Sequence, residues 1–123
     1  FSHLRLANNE RCIFIQQRAR YRWRTTDWLT ALVGEIGALA NVIKKINRGD
    51  FDGADQGALI DAYAQIEEEI ADVQIYLDLL ASHMDIDLPT AVAQKFNADS
   101  RKRDIDIKLD PDGAVILGPV LYE

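Results

Sequence analysis

A chain of 123 residues favours one domain with a small packed core. Its net charge of −6 and pI near 4.8, with acids and bases mixed along the chain, argue against non-specific binding to a nucleic-acid polymer. The lone Cys12 forms no internal disulfide and fits a reducing cytoplasm, no apolar run approaches the ~18 residues of a membrane span, and Phe1-Ser2-His3 is not the start of a signal peptide.

The first helix is expected from about Ser2, which would cap it, to about Arg20, with Leu4, Ala7, Ile13, Phe14 and Gln17 as an imperfect apolar stripe. A basic and aromatic stretch, Arg18 to Arg24, follows. Thr25, Thr26 and Asp27 are cap candidates for a second helix from about Trp28 to Asn47. Its core face reads as Leu32, Ile36, Leu39, Ile43 and Ile46, and Gly49 suits a left-handed C-terminal cap. A loop with Gly53 and Gly57 leads to a third helix, about Ala58 to Met84, whose stripe is Ile66, Ile70, Val73, Leu77, Leu80 and Met84. Asp87-Leu88-Pro89 is a cap followed by proline in a first turn, opening a fourth helix to about Lys102 with Val92 and Phe96 inward. The tail alternates at Ile105, Ile107 and Leu109, turns at Asp110-Pro111-Asp112-Gly113 and resumes at Val115 and Leu117, which predicts a short β-hairpin. The expected division is a helical domain, 1–103, and a hairpin tail, 104–123.

Two helices carry acids at matching places. Glu35 lies about 60° to one side of the second helix's stripe, with Ala38 about 120° to that side. Glu69 and Asp72 hold the same two angles on the third helix. Carboxylate pairs facing each other across a bundle can hold a hard divalent cation such as Mg²⁺. The plain alternative is that they are solvated acids on helix flanks.

The segments Gly34-Glu35-Ile36-Gly37-Ala38-Leu39-Ala40 and Glu68-Glu69-Ile70-Ala71-Asp72-Val73-Gln74-Ile75-Tyr76-Leu77 resemble the Glu-x-x-Glu and Glu-x-x-Asp halves of the MazG-like all-α nucleoside triphosphate pyrophosphohydrolases, in their small single-domain form. Asn41 to Lys45 and Lys95 to Arg101 also look like segments of that family, and the resemblance covers roughly residues 2–103. It implies an all-α, four-helix bundle completed by a homodimer or homotetramer. It further implies hydrolysis of a (d)NTP to the monophosphate and pyrophosphate with Mg²⁺, for which Mn²⁺ substitutes. Glu35, Glu69 and Asp72 would be the catalytic metal ligands, with Glu68 in support. Lys45, Lys95, Asn97 and Arg101 would contact phosphate or sugar, and Asn41 and Trp28 are further substrate contacts.

Ala38 stands where the family carries Glu. A natural variant with a weakened site, an inactive relative that still binds nucleotides and an engineered Glu→Ala form all remain open. A structural helical oligomer is the reading from outside enzymology, and phosphoribosyl-ATP pyrophosphohydrolase activity is the alternative within the same class. Trp23, Trp28 and Tyr21 beside Arg18, Arg20, Arg22 and Arg24 offer either base stacking or packing at a helix junction. His3 and His83 have no zinc-ligand spacing, and Cys12 reads as a packing residue.

Overall fold

The computed structural model describes residues 2–18, 22–53, 56–112 and 114–118, without the side chain of Ser2. Ser2 as a cap, Arg20 and Tyr21 of the basic stretch, and Gly113 of the turn lie outside the described residues. Four helices and a hairpin follow one another: α1 (Ser2–Arg18), α2 (Thr25–Asn47), α3 (Gln56–His83), α4 (Leu88–Lys102), β1 (Ile107–Leu109) and β2 (Val115–Leu117).

The body is the antiparallel pair α2 and α3. Trp28 meets Tyr76 near one end, and Val42, Ala58 and Ala62 line one cavity near the other. Trp28, Leu32 and Val42 of α2, with Ala62, Leu79 and Ala81 of α3, are buried. This corrects the expected stripes. Ile36 and Ile43 on α2, Ile70 and Leu77 on α3, and Met84 just past its end are exposed in the single chain. On both helices the packing seam is rotated about 40° from the expected stripe, toward the acidic side.

α2 begins after Arg24, whose backbone N–H donates to the Asp27 carboxylate at 2.8 Å, so Asp27 is the third residue of the helix rather than its cap. At the other end Gly49 sits at φ 86, with its N–H on Ile46 and the Asp50 N–H on Lys45. This paired pattern closes a helix through a left-handed residue. The same pattern ends α3 at Asp85 (φ 55), where Ile86 N–H reaches Ala81, and α4 at Asp104 (φ 52), where Ile105 N–H reaches Ser100.

α1 docks on α3 by polar groups, not by the apolar stripe. Asp78, 1% exposed, accepts from Arg5 Nε and from Asn8 Nδ2, each at 2.9 Å. Arg5 also reaches the Ile86 carbonyl, and Ser82 donates to Asn9. Ile13 and Phe14, expected inside, face outward because the docking face runs through Arg5 and Asn8 instead.

α4 starts behind Asp87 with Pro89 in its first turn, as expected, and packs on β1. Val92 and Phe96 are exposed, and the buried positions are Leu88, Ala93 and Ser100. The hairpin pairs Ile107 with Leu117 and Leu109 with Val115, and Asn97 grips its outer edge through both the N–H and the carbonyl of Leu109.

Candidate active site

The rotated seam brings the acids of α2 and α3 face to face. Glu35, Glu69 and Asp72 each offer a carboxylate oxygen, all within 4.8 Å of one another, and all three are half-buried. They are the one group of three or more His, Cys, Asp or Glu residues at metal-holding spacing among the described residues. Oε2 of Glu69 is buried with no hydrogen-bond partner. Burial, the Glu69 carboxylate beside it and the charges of Asp72 and Glu69 push the Glu35 pKa up.

An orphaned buried acceptor inside a crowd of like charges is costly unless a cation joins it. Opposite oxygens around Mg²⁺ lie about 4 Å apart, so a trio of this spacing fits one hard divalent ion. Ala38, three residues beyond Glu35, contributes only a half-buried methyl group there. Glu68 is exposed and stands outside the trio.

Next to the trio, a cavity of about 350 Å³ opens between α1 and the α2–α3 pair. Asp72 forms part of its wall, with Arg11, Cys12, Trp23, Trp28 and Tyr76. Trp28 is the hub of the aromatic packing. Its ring centroid is 4.6 Å from that of Trp23, 4.9 Å from His83 and 6.4 Å from Tyr76. The packing reading of the two tryptophans therefore holds. Trp28 is also 3% exposed with its indole N–H unpartnered, on the wall of a cavity large enough for a small ligand. His83 Nδ1 lies 3.2 Å from the Leu79 carbonyl, and Cys12 is half-buried with burial raising its thiol pKa.

The expected basic and amide contacts are not gathered here. Lys45 lines a separate cavity with Val42, Phe51 and Asp61. Ten residues of helical rise separate it from Glu35 by about 15 Å. Lys95 pairs with Asp99 at 2.9 Å, Asn97 is held by β1, and Arg101 and Asn41 are exposed. None of these five lines the cavity that Asp72 lines.

Arg11 does line it, and the sequence reading passed over it. The available signal was the polar run Arg5, Asn8 and Arg11 at three-residue spacing on a helix otherwise aligned by its apolar residues.

No family model matches the chain. Among curated proteins it is similar to dCTP pyrophosphatase 1 of Homo sapiens, 39% identical over 74 residues, which are 60% of this chain and 42% of that protein. The Rattus norvegicus and Bos taurus proteins of the same name are each 36% identical over 74 residues, covering 42% and 43% of their lengths. The chain thus spans less than half the length of the curated relatives it matches. Its resemblance to the MazG-like all-α nucleoside triphosphate pyrophosphohydrolases, first read from two acidic helices, is borne out by these dCTP pyrophosphatase relatives.

Proposed function

We propose that the chain hydrolyses a deoxynucleoside triphosphate to the monophosphate and pyrophosphate, as nucleotide-pool control. The supporting observation is the half-buried trio Glu35, Glu69 and Asp72, gathered within 4.8 Å at the edge of a cavity. In the reaction a water oxygen bonds to the α-phosphorus, the bond from that phosphorus to the bridging oxygen breaks, and pyrophosphate leaves. The trio would hold Mg²⁺, or Mn²⁺ in its place. When bound, such an ion screens the phosphates and acidifies a coordinated water. Trp28 and its neighbours form the wall that takes the base. The dCTP named in the relatives makes a pyrimidine deoxynucleotide the first substrate to try. Lys95, Asn97, Arg101, Lys45 and Asn41 would reach the nucleotide only from a second copy or after rearrangement.

A homodimer or homotetramer is part of the same reading. Leu29, Val33, Ile36 and Ile43 form an exposed seam on α2 at intervals of four, three and seven residues, and Tyr63, Ile70 and Leu77 on α3, with Met84 just past its end, repeat every seven residues. Continuous apolar seams of this kind are rarely left in water. No helix among the described residues is long and apolar enough to cross a membrane.

Ala38 supports a second reading, a catalytically silent protein that binds the nucleotide without cleaving it. The test is pyrophosphate release from the common NTPs and dNTPs with Mg²⁺ or Mn²⁺, run on this chain and on Ala38→Glu. Release by both supports the enzyme, with the Glu form expected to reach half-maximal rate at lower metal concentration. Release by the Glu form alone supports the silent reading. No release and no nucleotide binding in either leaves only the structural oligomer.

A further inference from the structure

Beside the acidic trio the cavity wall carries one guanidinium, and the fold aims it. Asn8 is 2% exposed, and its Nδ2 donates to Asp78 Oδ2 at 2.9 Å and lies 3.3 Å from the Ile75 carbonyl. Both neighbours are pure acceptors, so the amide has one workable orientation, with Oδ1 turned toward Arg11 Nη2 at 3.5 Å. Asp78 is itself held by Arg5 on its other oxygen. A buried relay anchored on α3 thereby orients Arg11 toward the cavity it shares with Asp72. Among the described residues no carboxylate pairs with Arg11. An unpaired guanidinium on the same cavity wall as Asp72 of the trio suits an anion that arrives with its own cation, and a planar fork matches two phosphate oxygens.

We propose that Arg11 is a phosphate-binding residue of the active site, oriented by Asn8 and Asp78. The inference rests on the pyrophosphohydrolase reading.

Its test compares Arg11→Gln and Arg11→Lys with the parent protein, after checking that their melting temperatures agree, as expected for an exposed side chain. Affinities for dCTP and for deoxycytidine are read in the presence of Mg²⁺ by quenching of tryptophan fluorescence, and kcat and KM by pyrophosphate release. Arg11→Gln should weaken dCTP binding about tenfold or more and leave deoxycytidine binding unchanged. Arg11→Lys should recover part of the loss, because it keeps the charge without the fork. Unchanged dCTP affinity and KM in Arg11→Gln overturn the inference. Equal weakening of dCTP and deoxycytidine overturns it too, since that marks a packing role in the wall. A parent protein that neither binds nor cleaves any dNTP sinks the pyrophosphohydrolase reading and this inference together. Cleavage by the parent with an indistinguishable Arg11→Gln sinks the inference alone.

Discussion

Glu35 is the side chain through which the site answers to pH. Its folded pKa is raised by burial and by the neighbouring Glu69 and Asp72 carboxylates, so the native chain binds this proton more tightly than the unfolded chain does. The group costs nothing while both states are protonated. It becomes destabilising as pH climbs from the ordinary carboxylate value, about 4.3, through the raised native value. Melting temperature measured in chelator should therefore fall across that window, and the fall should shrink in Glu35→Gln. Saturating Mg²⁺ should cancel it at neutral pH. Asp72→Asn separates a crowded site from solvated acids. Relief of repulsion should raise the metal-free melting temperature by about a degree or more while pyrophosphate release is lost, whereas a solvated Asp72 would leave stability unchanged. Helical angle made the matching acidic edges of the two helices legible in the sequence, and the packing of α2 on α3 is what brings them within reach of one another. Arg11 was not, because what aims it is a contact between helices: Asn8 on α1 with Asp78 on α3.

At the scale of elements, boundaries were the more readable part. The starts at Ser2 and Leu88, the end of α2 at Asn47 and the hairpin strands agree with expectation to within a residue or two. The faces were less readable. α2 carries two apolar seams about 100° apart, Trp28-Leu32-Leu39-Val42-Ile46 and Leu29-Val33-Ile36-Ile43, and periodicity alone does not say which one α3 covers. The expected stripe averaged the two. Glu35 is half-buried because the covered seam is the one that contains it. The helix ends carry their own prediction. Asp85 closes α3 from a left-handed conformation that glycine adopts at no steric cost, as Gly49 does for α2. Asp85→Gly should stabilise the chain by about 0.5–1 kcal/mol in a denaturant titration. Gly49→Ala should destabilise it by at least as much, because at φ 86 a Cβ is strained whatever space surrounds it, while the nearby Asp52 carboxylate can swing aside.

For the molecule as a whole, the uncovered seams on α2 and α3 and the outward Ile13 and Phe14 of α1 describe a chain whose apolar surface exceeds its own core. Light scattering should report a particle of at least twice the 13.9 kDa chain mass. Val33→Glu, placed mid-seam at 59% exposure, should shift it toward the monomer without unfolding α2. A monomeric parent at micromolar concentration would refute the assembly.

The grip of Asn97 on Leu109 has a further consequence. Lys108 pairs with Ile116, and the Leu109 N–H and carbonyl point away from β2, along the open side of a two-stranded ribbon. Such a side is a template on which another chain can build a strand. The Asn97 amide imitates the peptide unit of a missing neighbour, donating where that neighbour would donate and accepting where it would accept. One side chain of α4 thus serves as a plug against aggregation, and the exposed Ile107 and Val115 can remain apolar beside it.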